Sequence, residues 1–567
     1  MIKLKKHSQF EQDLIAQVKA DFKNRQADRL RFESQWRLNN NFYQGNQYSA
    51  LNVLGEIENQ GRDYYWQERE VYNHIASIVE TRLARLSKSC PKLSVRAKSG
   101  SDSDTKIARA ASKILSATLT KIDFDQIVSN ATQVSEIMGS VFYKISWDKA
   151  GGKLLGVRNE KKVHEGEVRI DVCPPFEIFP DRINAQSIAE CQSIIHAKAM
   201  PISQIEKTFN IIIDEEKIDS FVYDGVVLSG GLGFLSAVGT KCRGQIKDHA
   251  VVIERYTRPT QAHPNGTLEI VAGDNLLFFG DLPYKVGADN SFDLPFIKQD
   301  SHTLPDCFFG TSVIERVIPI QRAYNAVKNR KHEFMNRIAM GVLAVEDGSV
   351  DTDNLESEGL SPGKILVYRQ GSTPPSFLNP GTIPSEFNKE EDRLIAEFIM
   401  VSGVSEIMRS SLAPNNVSSG VALQLLSTQD DTRLSTTADR VKAAVKGLAK
   451  AILRLYRQFG TNLRLSSVVG DDGNVEQVHW KGSVVANGDD VVFDTPTRAE
   501  DSISAKREMV FELLKSGLLN DGDGKLSEQI RQAALKEMGF GVWESFGEEL
   551  EKGIKDKKEQ KKEKISG

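Results

Sequence analysis

Cysteine is scarce in this chain of 567 residues: there are five, Cys90, Cys173, Cys191, Cys242 and Cys307, odd in number, far apart and without a CxxC spacing. That excludes a disulfide framework and a zinc knuckle, and a reducing cytoplasm is the simplest setting. Long apolar runs are missing too. Nowhere do roughly 18 apolar residues follow one another, and the opening MIKLKKHSQFEQDL turns polar without an apolar core, so the expectation is a chain neither secreted nor membrane-spanning. A charge excess of one sign is also absent. The net charge of −4, with a pI near 6.2, excludes a surface built throughout to neutralise phosphates, and any DNA contact must be local.

Catalytic signatures fail one after another. The GK pairs at Lys153, Lys364 and Lys525 are each followed by Leu or Ile, so there is no Walker phosphate cradle and a nucleotide-driven motor would have to be another chain. NDGDGKLSEQI imitates a calcium loop. Placing Gly524 at its invariant glycine, however, puts Leu519 first and Ile530 last, where carboxylates are required. The nine histidines include no HExxH, and His74 and His332 lie in helical patterns where a packing or surface role is the default. No metal or other cofactor is expected. The best enzymatic alternative is a loose PD…ExK arrangement of Pro180 and Asp181 with Glu215 and Lys217, in which carboxylates would hold a divalent cation. A third class is a cytoplasmic scaffold.

What is present is ordinary folding material, 40% hydrophobic and 26% charged, enough for more than one domain or one elongated subunit. Leu14, Val18, Phe22, Leu30 and Trp36 fall near helical spacing, and Gly45 offers an end. Ile75, Ile78, Val79, Leu83 and Leu86 mark a second helix, stopped by Cys90 and Pro91. IARAASKILSATLTKI and DQIVSNATQVSEIMG continue the helical pattern. VFYKISW and EVRIDVCPP then read as strands, and from Val141 to about Asp300 strands dominate, with AGDN as a hairpin turn. The stretch SGGLGFLSAVGTKCRG interrupts them. Trp36, Phe42, Tyr43, Tyr48, Tyr64, Tyr65 and Trp66 are read as packing area rather than a base-stacking platform.

At Gly310 the pattern reverts to helix, with Ile314, Val317, Gln321, Tyr324, Val327, Phe334 and Ile338 at helical spacing over about 45 Å. An insert rich in Gly, Pro and Ser follows, too small for its own core. EFNKEEDRLIAEFIMVSGVSEIMRS resumes the helix. The first of these flanking helices carries Arg316, Arg322, Lys328, Arg330, Lys331 and Arg337; the second carries Glu386, Glu390, Glu391, Asp392, Glu397 and Glu406. Opposite charges can pair between them, and a solvated or salt-bridged face is the default. Next comes APNNVSSGVALQLL, a loop of short side chains between two strong helices. Pro414 breaks one helix, and Ser418 or Ser419 can cap the next. From Ser418 to Phe459 runs the longest helix, about 60 Å, with Gly447 as a possible bend and Gly460 as C-cap. Lys442, Lys446, Lys450 and Arg454 recur along it, for which a solvated face is favoured over DNA contact. A hairpin-like stretch, two more helices and the tail KDKKEQKKEKISG end the chain.

RFESQWRLNNNFYQGNQY, VYNHIASIVETRLARL, EIMGSVFYKISWD, GTSVIERVIPIQRAYN and SGVALQLL, in this order, resemble the viral portal proteins, the head-to-tail connectors of tailed bacteriophages, over nearly the whole chain. The resemblance implies an α+β, elongated, mainly helical subunit, twelve of which form a ring at one capsid vertex. In that arrangement residues 1–308 are the wing, 309–341 the first stem helix, 342–385 the clip and 386–410 the second stem helix. Residues 411–420 are the tunnel loop, 421–497 the long wing helix and β hairpin, and 498–567 the crown helices and charged tail. Ser411, Ala413, Pro414, Asn415, Asn416, Ser418, Ser419 and Gly420 would then face double-stranded DNA and touch it without gripping phosphate. The stem residues would be Arg322, Lys328, Arg330, Lys331, Arg337, Glu390, Glu391 and Glu397. The implied partners are other copies of the chain, the terminase large subunit, major capsid and scaffolding proteins, and tail or head-completion adaptor proteins. The implied place is the virion, after assembly in the host cytoplasm, and no catalysis is implied.

Overall fold

A computed structural model describes residues 8–52, 57–59, 61, 67–88, 93–97, 101–158, 161–209, 211, 249–287, 290–340, 342–350, 365–378, 384–404, 420–461, 464–469, 475–482 and 490–493. The chain divides into two compact units, 1–492 and 493–567, and nearly all described residues belong to the first.

Helix α1 (Gln9–Gln44) begins with a capping box: Glu11 N donates to Ser8 Oγ while Ser8 N donates to the Glu11 carboxylate. It ends at Gly45, whose φ of 98° is the left-handed conformation that releases the chain from a helix. Leu14, Val18, Phe22 and Trp36 are buried as their spacing predicts, but Leu30 is 58% exposed. The reason is that the inward stripe changes character midway, running Phe22, Arg25, Arg29, Glu33, Trp36. Arg29 is buried, pairs with Glu33, and donates to the carbonyls of Pro175 and Ile178 at 3.0 and 2.9 Å. Its guanidinium lies 3.7 Å from the centre of the Phe179 ring. A buried cation is tolerated there because it is both paired and fully hydrogen-bonded.

After β1 (Ser49–Leu51) and its antiparallel partner β2 (Ile57–Asn59) come α2 (His74–Lys88), β3 (Leu93–Val95), α3 (Asp102–Lys121) and α4 (Phe124–Met138). The strand-rich stretch supplies β4 (Ser140–Asp148), β5 (Leu154–Arg158), β6 (Lys161–His164), β7 (Glu167–Cys173), β8 (Ile178–Pro180), β9 (Ser193–Pro201), a short α5 (Ile202–Phe209), β10 (His249–Thr257), β11 (Thr267–Ala272), β12 (Asn275–Gly280) and β13 (Phe296–Asp300). Two antiparallel sheets result, one ordered β12-β11-β10-β9-β8 and the other β13-β4-β7. The AGDN hairpin is as the sequence predicts: Gly273 and Asp274 join β11 to β12, with Gly273 at φ 56°. The β5–β6 hairpin was not legible.

Side-chain alternation sorts the sheet faces. Ile195, Ala197, Val251 and Ile253 pack under α1 with Val18, Phe22 and Phe179. Ile194, Val252 and Tyr256 point the other way and meet Phe142, Phe176, Phe296, Phe308 and Phe309 in the core between the sheets. Trp36 and Phe42 are core residues, so packing is their role; Tyr64, Tyr65 and Trp66 lie outside the described residues.

The remaining elements are α6 (Val313–Met340), β14 (Val342–Ala344) paired with β15 (Ser376–Leu378), α7 (Glu386–Ser402), α8 (Gly420–Phe459), β16 (Arg464–Val469) paired with β17 (Val475–Trp480), and β18 (Val491–Phe493). Helix α8 is continuous, and Gly447 proves to be a packing position: a Cβ there would stand 3.4 Å from Ile297 of β13. Gly460 follows its last turn as expected, its N–H bonded to Tyr456 O. Helix α7 stops at Ser402, short of residue 410, because Gly403 adopts φ 69° and ends it.

Candidate functional site: the junction of two antiparallel helices

Helices α6 and α7 flank the β14–β15 pair and run antiparallel. The order of their contacts shows this: Phe334 meets Phe387 near one end, Lys328 and Lys331 meet Glu391 midway, and Tyr324 meets Phe398 toward the other. Of the charged residues singled out in the sequence, Lys328 and Lys331 thus converge on Glu391, with Lys331 Nζ 2.9 Å from its carboxylate and 2.7 Å from Asn388 Oδ1. Burial would raise the Glu391 carboxyl, but the two lysines hold it below the usual range. Glu390 and Glu397 pair with Arg393 of their own helix, at 3.8 and 3.3 Å. Arg322 does not cross to α7; it donates to Ser49 O at 2.9 Å and covers the Phe42 ring. Arg330 is exposed, and the Arg337 side chain lies outside the described residues.

The inner face of α6 carries a ladder of amides one turn apart. Gln321 donates to Tyr72 O and accepts from His74 N. Asn325 accepts from Tyr72 N and donates to Gln47 Oε1 at 2.7 Å, and Asn329 donates to Tyr48 Oη and Glu70 O. An extended stretch around residues 70–74 has backbone groups with no strand partner, and the ladder satisfies them. His74 packs on Tyr324 and Phe398, the packing role its helical setting suggests.

At the far ends of the helix pair sits a buried polar junction. Glu136 of α4 is bound by Arg82 of α2 at 2.6 Å and by Ser301 Oγ at 2.7 Å. Burial alone would raise its carboxyl, but Arg82 and these hydrogen bonds hold it below the ordinary range. Arg82 also donates to Ser402 O, the last residue of α7. Ser312, immediately before α6, donates to Glu136 O, and its hydroxyl accepts from Ile314 N. From α8, Arg440 and Thr437 both donate to Ser301 O, at 2.6 and 3.3 Å. Backbones come close at the same place. A Cβ on Gly139, which has φ 90°, would lie 2.3 Å from Gly310 O, and Ser140 Oγ accepts from Gly310 N while donating to Asp300. One cluster therefore fixes the start of α6, the end of α7 and the body of α8.

The junction brackets the segment 405–419, which lies outside the described residues together with Ser411, Ala413, Pro414, Asn415, Asn416, Ser418 and Ser419; Gly420 is the first residue of α8. In the basic stripe of α8, Lys442 pairs with Asp439 and Arg454 donates to Val286 O, so these two serve the fold. Asp181 accepts from Gln192 N at the start of β9; Glu215 and Lys217, its partners in the nuclease alternative, lie outside the described residues, as does NDGDGKLSEQI. Among the described residues no helix is long and apolar enough to cross a membrane.

The chain is thus α+β, with two antiparallel helices held by buried polar contacts against a body of helices and sheets. Residues 307–564 match the model of the phage P22-like portal protein family, which supports a viral portal protein. No curated protein matches the chain. The match begins just before α6 and does not include the β4–β13 strands or α1. Of the stretches that carry the resemblance, those holding Gln47, Tyr72, Arg82, Glu136, Gly139 and Gly310 meet at the amide ladder and the junction, although they lie up to 278 residues apart.

Proposed function

We propose that the chain is a portal subunit. Twelve copies close into a ring at one capsid vertex, and double-stranded DNA passes through it during packaging and ejection. The observation that carries this reading is the antiparallel pair α6–α7 and the long α8, which lie within the stretch that matches the portal family and are joined through the Arg82–Glu136 junction, which lies before it. In the proposed ring this pair is the stem, residues 342–385 are the clip that docks the terminase large subunit, and residues 411–420 are the tunnel loop. The body before α6 is the wing, and residues 498–567 form the crown. Major capsid and scaffolding proteins meet the outer surface, and tail or head-completion adaptors join once DNA is inside. The chain acts mechanically in the virion after assembly in the host cytoplasm, and has no catalytic role.

The loop composition fits a sliding contact. Each lysine on a phosphate releases counterions and tightens binding, whereas Asn415, Asn416, Ser418 and Ser419 offer only short neutral groups. The test is the DNA content of heads made in a host whose infecting genome lacks this reading frame. They are expected to be empty, with packaging restored when the chain is supplied from a plasmid. DNA-filled heads in its absence contradict the proposal.

A further inference from the structure

Between the two sheets, beside an aromatic and aliphatic core, lie Cys173 at the end of β7, Glu177 in the turn that follows, and His196 of β9, all buried. One ligand atom from each falls within 4.8 Å of the others. His196 Nε2 is 3.7 Å from Cys173 Sγ and 3.2 Å from Glu177 Oε2. A tetrahedral zinc ion, with bonds of about 2.3 Å to sulfur and about 2.1 Å to nitrogen and oxygen, sets its ligands about 3.6 Å (S to N) and about 3.4 Å (N to O) apart. The two edges at His196 are close to these values, and the Cys173 and Glu177 ligand atoms lie within 4.8 Å of each other. An independent feature is the second carboxylate oxygen, Glu177 Oε1: it is buried without a hydrogen bond, and Lys198 Nζ, the nearest cation, stands 4.0 Å away.

We propose that Cys173, Glu177 and His196 form a structural zinc site that joins the three-stranded sheet to the five-stranded one, with Glu177 offering both oxygens. The surroundings suit the ion. His196 Nδ1 lies 3.3 Å from Glu254 Oε2, and donating to it leaves Nε2 as the free lone pair. Glu254 is in turn held by Lys144 and by Tyr256 Oη at 2.8 Å. Lys144 Nζ also stands 3.3 Å from His196 Nδ1. Charges close: binding expels the Cys173 thiol proton and the His196 Nε2 proton, the Cys173 thiolate and Glu177 carboxylate balance the dication, and Lys144 balances Glu254.

The site was missed in the sequence because its ligands come from a strand end, a turn and a strand 19 residues further on, a spacing that matches no metal motif. Cobalt is the probe. Full-length chain produced in zinc-free, cobalt-supplemented medium is expected to hold one cobalt per chain and to show a near-ultraviolet thiolate-to-cobalt band. The band is lost in Cys173→Ser and kept in Cys191→Ser and Cys307→Ser. Glu254→Gln, which removes the carboxylate that faces His196 Nδ1 and also pairs with Lys144, is expected to weaken cobalt binding about 10–100-fold. Wild-type chain with no bound cobalt, or a band that survives Cys173→Ser, overturns the proposal, and His196 is then an imidazolium bridging two carboxylates.

Discussion

At Gly139 two constraints meet, a left-handed φ and a neighbouring backbone that a Cβ would strike at 2.3 Å. Because the obstacle is the Gly310 carbonyl rather than a movable side chain, Gly139→Ala is expected to lower stability by about 2–4 kcal/mol, checked by urea unfolding. A loss under about 0.5 kcal/mol contradicts the close approach. His302, next to Ser301, is held as neutral imidazole: burial, then Arg82, Arg316 and Arg440, push its pKa down to about 4. The unfolded chain protonates it near 6.5 and the folded one only near 4, so its contribution is intact above pH 6.5 and is lost as pH falls through that window. Unfolding midpoints should drop between pH 6.5 and 4, and less steeply in His302→Asn; an unchanged slope contradicts the assignment. Neither residue announces itself in the sequence. Gly139 reads as a helix stop and His302 as one of nine histidines, since their neighbours, Gly310 and Arg82, lie far along the chain.

Periodicity made the single elements legible because each helix and strand is paid for by its own apolar stripe: α1, α2, α6 and α8 and the strands between Val141 and Asp300 stand where Val18, Ile78, Val317, Leu448 and the alternating β residues place them. Pairing between elements was legible only as chemistry. Opposite charge on α6 and α7 suggested contact, yet among the described residues Glu391 alone forms ion pairs between them, and the amide ladder at Gln321, Asn325 and Asn329 was invisible because amides carry no hydropathy signal. Ends were less legible than middles, as α7 shows: its pattern continues past Ser402, but Gly403 turns left-handed and Val404 is buried in the core. Glu391 gives a test at this scale. Glu391→Ala leaves Lys328 and Lys331 facing each other and is expected to cost about 0.5–1 kcal/mol, less as salt rises from about 0.1 to about 1 M. A salt-independent loss contradicts pairing as its cause.

On the scale of the whole molecule, the body before α6 anchors both helices of the pair at one end, the start of α6 and the end of α7, through one buried junction. A force on the segment between α7 and α8 would therefore reach the sheets through Arg82, Glu136 and Arg440 rather than through a flexible link. Both lysines of α6 are occupied by Glu391, and of the α8 lysines Lys442 pairs with Asp439. The native mass of the purified chain, read with negative-stain images of the same sample, tests the central claim most directly. The account expects closed rings with an axial hole at roughly twelve times the 63.0 kDa chain. A small closed dimer that cleaves DNA with Mg²⁺, and loses that cleavage in Asp181→Ala, would contradict it.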